Sequence, residues 1–142
     1  MQNPAREKTT SALTQGVHDI GLTVPNLHQT KDFFMEVLGF KQVGEKPEYP
    51  AVFVSDGEIM ITLWQAVNVE SVTEFDRRNN IGLHHLALAV VDIPRLNELH
   101  KRLREIDSVA IEFPPEPLGG GPTQHMMCAI PGGIRVEFIA RG

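Results

Sequence analysis

Apolar and polar residues alternate along residues 17–24, and this period of two predicts a strand whose apolar face carries Ile20, Leu22 and Val24. The spacing then changes to that of an amphipathic helix, which begins after the N-cap residue Asn26 and ends before Gly39. Three more strands are predicted, at residues 40–43, 51–54 and 59–65. The first half of the chain is therefore predicted to be βαβββ.

The same order of elements returns in the second half. Leu86 and Leu88 repeat Ile20 and Leu22 at an offset of 66 residues, and Asp92 replaces Asn26 as the N-cap of a helix over residues 93–103. Strands are then predicted at residues 110–113, 125–130 and 134–140, with a Pro/Gly-rich loop, PPEPLGGGP, after the first of them. The pattern alone leaves open whether the halves are true duplicates or chance look-alikes.

Length and composition fit one globular domain. Of the 142 residues, we assign 1–15 to a mobile N-terminal tail and 16–142 to the domain, with module one at 16–65, a polar connection at 66–81 and module two at 82–142. The net charge of -5 argues against a nucleic-acid partner. Cys128 is the only cysteine, and no apolar run is long enough for a signal peptide or a membrane span, so a cytoplasmic location is expected.

Strand alternation sorts the candidate site residues. If the apolar residues of each strand face the core, the opposite face collects Asp19, His85 and Glu137 among the small residues Gly21, Ala87 and Ala89. His84 is expected to turn away from this face, toward the core or the strand edge. Small neighbours leave room for a ligand, and a buried carboxylate needs a partner or a cation. One imidazole and the carboxylates suit a divalent Zn, Ni, Mn, Fe or Co ion; in a metal-free site Arg135 or His85 pairs with Glu137 instead.

Further residues are expected around the same face. Met60, Thr62 and Trp64 share one strand parity and are expected to line a substrate pocket together with His125 and Arg135. His125 is alternatively a ligand, an acid/base group or a surface residue, and Met60 and Trp64 are alternatively simple core. The glycine loop lacks the Lys-Ser/Thr of a phosphate-binding loop.

Three segments together resemble the vicinal oxygen chelate superfamily, which includes glyoxalase I, bleomycin-resistance proteins and extradiol dioxygenases. They are HLALAVVDI at 85–93, FMEVLGF at 34–40 and PGGIRVEF at 131–138. The resemblance implies an α+β fold of two tandem βαβββ modules whose curved sheets enclose a cavity, and a homodimer. It also implies a divalent metal bound by His85 and Glu137.

The first module departs from the family pattern. Asp19 stands where the other strand-initial ligand is expected, and Thr62 stands where the other acidic ligand is expected. Asp19 can still bind a metal through its carboxylate, whereas a neutral threonine is a poor ligand. Asp19 is alternatively the partner of Arg135 or the cap of a turn.

The resemblance implies a glyoxalase I-like lyase or isomerase that acts on a small substrate with two adjacent oxygens. In such an enzyme Glu137 is both a metal ligand and the group that moves a proton. A methylmalonyl-CoA epimerase-like enzyme is the rival within the same class. A metal-free protein of the bleomycin-resistance kind, which sequesters a small molecule, is the rival outside it, and Thr62 favours that reading.

Overall fold

The computed structural model describes residues 11–142, which form two four-stranded sheets and two α-helices. The first half contains β1 (Asp19–Val24), α1 (Leu27–Asp32), β2 (Lys41–Lys46), β3 (Ala51–Ser55) and β4 (Met60–Gln65). The second half contains β5 (Leu86–Ala89), α2 (Ile93–Arg104), β6 (Ala110–Pro117), β7 (Gln124–Ala129) and β8 (Arg135–Ala140). Residues 1–10 of the predicted tail lie outside the described part of the chain.

The two sheets have the same topology. Their strand orders are β1-β4-β3-β2 and β5-β8-β7-β6, and in each sheet the first and last strands of the module pair in parallel. The registers also correspond, because Gly21 pairs with Thr62 in one sheet and Ala87 pairs with Glu137 in the other. The predicted α+β fold of tandem βαβββ modules is confirmed, and Thr62 holds the position equivalent to that of Glu137.

Both α-helices begin at the residues that the sequence indicated. The side chain of Asn26 accepts a hydrogen bond from the Gln29 N–H at 3.1 Å, and that of Asp92 accepts one from the Arg95 N–H at 2.9 Å. The helical segment continues after α1 as one π-helical turn, Phe33–Val37, and this segment ends near Gly39. Each helix thus starts directly after the first strand of its module and returns the chain to the sheet.

The loop predicted after residue 113 starts later than expected. Strand β6 continues through three prolines to Pro117, so only part of PPEPLGGGP is a loop. This strand lies at the edge of its sheet, where the missing N–H of proline removes no bond to a second neighbour. The connection between the modules contains one short 3₁₀ turn, Val69–Ser71.

One hydrophobic core joins the two modules. It includes the inward-facing residues of β1, β4 and β8 and residues of both helical segments; among them are Leu22, Val24, Leu63, Phe34, Leu96, Val136 and Phe138. Across the junction the Thr30 hydroxyl donates to the Pro131 carbonyl at 3.2 Å. Gly132, with φ +102°, lies so close to Pro25 that an added Cβ would come within 3.1 Å of its ring. The faces of both sheets that point away from this core are therefore available for a functional site.

Cys128 lies in this core, and burial raises the pKa of its thiol to about 12. None of the helices between residues 11 and 142 is long and apolar enough to cross a membrane.

Candidate functional site

The carboxylate of Glu137 lies between two imidazoles on the outer face of the second sheet. Its Oε2 is 2.5 Å from Nδ1 of His125, and its Oε1 is 3.3 Å from Nε2 of His85. Glu137 itself is only 8% exposed. A carboxylate that is so buried needs polar partners, and these two rings supply them.

Strand register brings these three side chains together. Glu137 on β8 pairs with Ala87 on β5 and with Met127 on β7. His85 and His125 each lie two residues before one of those partners, so all three side chains point to the same face. The predicted alternation holds for β5, where Leu86 is buried while Ala87 and Ala89 are exposed.

The geometry of this cluster fits two metal ligands. Atoms that bind one Zn²⁺-like ion at roughly 2.0–2.2 Å in a tetrahedron stand about 3.4 Å apart. The 3.3 Å between His85 Nε2 and Glu137 Oε1 matches that spacing, whereas the 2.5 Å between His125 Nδ1 and Oε2 is too short for two ligands of one ion and is a hydrogen-bond contact. His85 and Glu137 can therefore share a cation while His125 orients the carboxylate.

Asp19 does not join this cluster within one chain. Its carboxylate lies 2.8 Å from Nδ1 of the adjacent His18, and its ladder partner on β4 is Met60. Over residues 11–142, no group of three or more His, Cys, Asp or Glu side chains is arranged to hold a metal ion. A single chain thus brings together two of the three predicted ligands.

The guanidinium of Arg135 contacts Glu112 and His84, and its role in lining a substrate pocket stays a prediction. Its Nε and Nη2 donate to the two oxygens of Glu112 at 3.0 and 2.8 Å, and its Nη1 lies 3.3 Å from the His84 carbonyl oxygen. The side chain is largely buried. The alternative pairings of Arg135 with Glu137 or Asp19 are not found, because Arg135 forms this bidentate pair with Glu112 instead.

 These hydrogen bonds fix the position of the Arg135 side chain between Glu112 and His84.

His84 lies elsewhere than the alternation predicted. It is exposed and does not turn toward the core, because β5 begins only at Leu86 and the strand period does not extend back to His84. Its ring instead packs edge-on against the ring of His85, with centroids 5.1 Å apart, and the two Nδ1 atoms are 2.9 Å apart. The core-facing alternative for His84 is therefore not found, and the rings of His84 and His85 contact each other.

The equivalent face of the first sheet carries no charge at the Thr62 position. The Trp64 indole N–H donates to the Thr62 hydroxyl at 2.8 Å, and the hydroxyl reaches the Ile20 carbonyl at 3.5 Å. Gly21 lies beneath this pair, because a Cβ there would come within 3.1 Å of the hydroxyl oxygen. Thr62 is thus used inside the module, as a neutral counterpart of Glu137.

Aromatic rings surround that threonine. Trp64 packs edge-on against Tyr49, with centroids 4.6 Å apart, and lies 5.9 Å from Phe53. Trp64 and Met60 are partly exposed, and their role in lining a substrate pocket stays a prediction. The surroundings of Thr62 are therefore aromatic, whereas the surroundings of Glu137 in the second module are ionisable.

Sequence reasoning missed Glu112. Strand β6 shifts its register between Ile111 and Phe113, so alternation along that strand could not place the residue between them. Arg77, from the connection, also lies within 3.7 Å of the Glu112 carboxylate. The hydrogen bonds from Arg135 lower the pKa of Glu112; its partial burial opposes this, and the charges of Arg135 and Arg77 add to the lowering.

A separate cavity lies at the junction of the modules. Its volume is about 810 Å³, and it is lined by residues of β1, the connection and the β7–β8 turn, among them Pro25, Phe75 and Gly132. None of the residues around Glu137 lines it.

Comparison with solved structures shows the same fold in several proteins. A glyoxylase/bleomycin resistance protein/dioxygenase domain from Frankia sp. EAN1pec matches with a TM-score of 0.75 at 22% identity, over 92% of this chain and 94% of that one. The fosfomycin resistance protein FosX from Listeria monocytogenes matches with a TM-score of 0.71 at 17% identity, over 90% and 94%. Lactoylglutathione lyase from Agrobacterium tumefaciens matches with a TM-score of 0.66 at 18% identity, over 91% and 96%.

The tandem βαβββ sheets define the class of protein as a vicinal oxygen chelate fold. The model of the Glyoxalase/Bleomycin resistance protein/Dioxygenase superfamily matches residues 16–138, and the chain belongs to that superfamily. A search of curated proteins found no match.

The lowered pKa of Glu112 predicts a pH-dependent contribution to stability. A carboxyl group whose pKa is lower in the folded than in the unfolded chain stabilises the fold above its unfolded pKa, and this contribution is lost as the pH falls through the folded pKa. We expect Glu112→Gln to lower the free energy of unfolding near pH 7 and to differ less from the parent chain as the pH falls toward about 3. Urea unfolding at both pH values measures this; a constant difference would contradict it.

Proposed function

We propose that this protein is a metal-dependent lyase or isomerase of the glyoxalase kind, which moves a proton on a small substrate with two adjacent oxygens. The observation that carries the proposal is the spacing of His85 Nε2 and Glu137 Oε1, 3.3 Å apart, with Oε2 held by His125. Two ligand atoms of the right types and separation on one sheet face suit a divalent ion.

Glu137 is the group that takes up and returns the substrate proton in this proposal. It is buried beside the exposed small residues Ala87 and Ala89, which leave space for a substrate next to it. His125 keeps the carboxylate in one orientation, and the ring of Phe113, 4.9 Å away, packs on His125. A bound divalent cation supplies Lewis-acid polarisation of the two substrate oxygens.

A homodimer completes the site in this proposal. One chain brings two ligands together, and Asp19 of a second copy is the proposed third. In the described chain Gly21, Ala87 and Ala89 are exposed on the site faces of the two sheets. Apolar side chains in the connection and directly after it are exposed as well, namely Val67, Val69, Val72, Ile81 and Leu83. Burial of such apolar surface in an interface favours the association of two copies of the chain.

The rival within the enzyme class is an epimerase that acts on a 2-methyl acyl-CoA, because the same proton transfer would serve it. The rival outside the class is a metal-free binding protein. The hydrogen bond between Trp64 and Thr62 and the rings of Tyr49 and Phe53 favour that rival, since they leave the Thr62 position of the first module without a charged ligand.

Removal of either proposed ligand should abolish metal binding. We expect the untagged protein, freed of metal by chelation, to bind Ni²⁺ or Zn²⁺, and His85→Ala and Glu137→Gln each to weaken binding strongly because half of the ligand pair is lost. Isothermal titration calorimetry measures the affinity. His28→Ala, which removes an exposed histidine of α1, is the matched control and should leave it unchanged.

Equal binding by the parent chain and both ligand variants would refute the metal site. No binding by the parent chain, combined with thermal stabilisation by bleomycin or fosfomycin, would favour the metal-free alternative.

The reaction class can be tested directly. We expect the metal-loaded protein to convert an α-ketoaldehyde mixed with glutathione into the corresponding 2-hydroxyacyl thioester, with Glu137→Gln at least about 100-fold slower because the proton-transfer group is lost. Chromatography of the product measures the rate. Solvent-deuterium incorporation into a 2-methyl acyl-CoA, with no thioester formed from the ketoaldehyde, would replace the glyoxalase assignment by the epimerase.

The shared site predicts complementation between two defective chains. Asp19→Ala and Glu137→Gln are each expected to bind metal poorly. A co-expressed mixed dimer should recover one intact site, because the unsubstituted Asp19 of one chain meets the unsubstituted His85 and Glu137 of the other. Calorimetry on the purified mixed dimer measures the number of metal ions bound per dimer. Failure to recover binding would contradict the proposal that Asp19 of one chain completes the site of the other.

A further inference from the structure

The cavity at the junction of the modules is separate from the Glu137 site, and its floor is apolar. Val24 at the end of β1 and Ile134 after the β7–β8 turn both line it, and they are 0% and 7% exposed. The cavity volume of about 810 Å³ lies within the roughly 300–1,000 Å³ of cavities that bind small molecules. The size and the apolar floor therefore suit an organic ligand.

One wall of this junction cavity is held by hydrogen bonds and close packing. The side-chain amide of Gln65 donates to the carbonyl oxygen of Pro25 at 2.8 Å and to that of Ala66 at 3.2 Å, and both of these residues line the cavity. Gly132 lies against the Pro25 ring on the adjoining side. The wall is thus formed before any ligand binds, which lowers the entropy that binding costs.

The backbone carbonyl groups along that wall already have hydrogen-bond partners. The Val24 carbonyl accepts from the Ala66 N–H at 2.8 Å, and the Ile134 carbonyl accepts from the Ile130 N–H at 2.9 Å. The Pro25 carbonyl accepts from Gln65, as described above. A carbonyl that is already bonded gains less from a polar ligand than an unpaired one does. The wall therefore favours the apolar body of a ligand.

The connection between the modules supplies the facing wall and one charge. Phe75 contributes an aromatic ring, and Glu74 is the only ionisable side chain among the described residues that line the cavity. The Asn80 side-chain amide donates to the Glu74 carbonyl at 3.2 Å, and the Arg78 N–H donates to the Asp76 carboxylate at 3.0 Å, which closes this segment into a turn. An apolar cavity with a single carboxylate selects a ligand with one positive charge.

We propose that the junction cavity binds a hydrophobic amine, a small molecule whose apolar body packs on Val24, Ile134 and Phe75 and whose ammonium group pairs with Glu74. This binding needs no metal and does not depend on the proposed function. A second copy of the chain is the competing occupant, because Val72 lines the cavity and is exposed. Glu74 favours the amine, because a second copy of a chain with net charge -5 is a poorer source of positive charge.

Phenylbutylamine and phenylbutyrate are matched probes, since they differ in the charged group at the end of a similar apolar body. ¹H–¹⁵N correlation spectra of the ¹⁵N-labelled full chain, freed of metal by chelation, locate each probe and give its dissociation constant. Ala66→Leu fills the cavity, and Ala110→Leu is the matched control at an exposed position of β6. Glu74→Gln removes the charge, and Glu70→Gln, on the 3₁₀ turn of the connection, is its control.

We expect the amine to shift the amide signals of Gly132 and Phe75 and to bind about 5- to 10-fold more tightly than the acid. Ala66→Leu should weaken binding of the amine about 10-fold or more, because the larger side chain occupies the space of the ligand. Glu74→Gln should remove most of the difference between the two probes. Both control variants should bind the probes as the parent chain does.

Four results would overturn the inference. The first three concern the parent chain: no shifts at the cavity with millimolar amine, equal binding of the two probes, or amine-induced shifts centred on Ala87 and Glu137. The fourth is unchanged binding of the amine by Ala66→Leu. If that variant does not fold, Glu74→Gln and its control decide the question.

Sedimentation velocity tests the competing occupant. A dimer of the parent chain that Ala66→Leu dissociates, with no amine bound by either chain, would assign the cavity to an interface between two copies and would overturn the inference. The cavity shares no lining residue with the His85 and Glu137 cluster, so the loss of Ni²⁺ binding and the loss of amine binding are separate results. Each proposal can therefore fail without the other.

Discussion

The burial of one carboxylate, that of Glu137, is the constraint on which the site depends. A charged group with so little access to water is stable only with polar partners, and the sheet supplies them as His125 on one oxygen and His85 on the other. The partners are held in turn by packing and by the Arg135 contacts. The second module is therefore organised outward from one side chain of β8.

The two modules share one backbone plan but differ in the chemistry of the outer face. At equivalent register positions, Glu137 is ionisable and bonded to histidines, whereas Thr62 is neutral and bonded to Trp64. A tandem repeat can thus keep the core pattern in both halves while one half gains charged groups and the other apolar surface. The fold is common to proteins of differing activities, so the outer faces decide the function.

Much of this could be predicted from the sequence because it follows from short-range periodicity. The period of two placed Asp19, His85 and Glu137 on the non-core faces, and the N-caps Asn26 and Asp92 located both helices. The same rule failed for His84, which precedes the strand, and for Glu112, which lies at a register shift of β6. Alternation applies only where the strand is regular.

The sequence by itself determined the tandem βαβββ order, the core faces and the residue types available for chemistry, since these depend on neighbours a few positions apart. Only the tertiary structure decided that His125 binds Glu137, that Arg135 binds Glu112 and His84, and that Asp19 lies apart from the other two predicted ligands in one chain. Those pairings join residues that are distant in sequence, and the order of neighbouring strands in the sheet determines which residues meet.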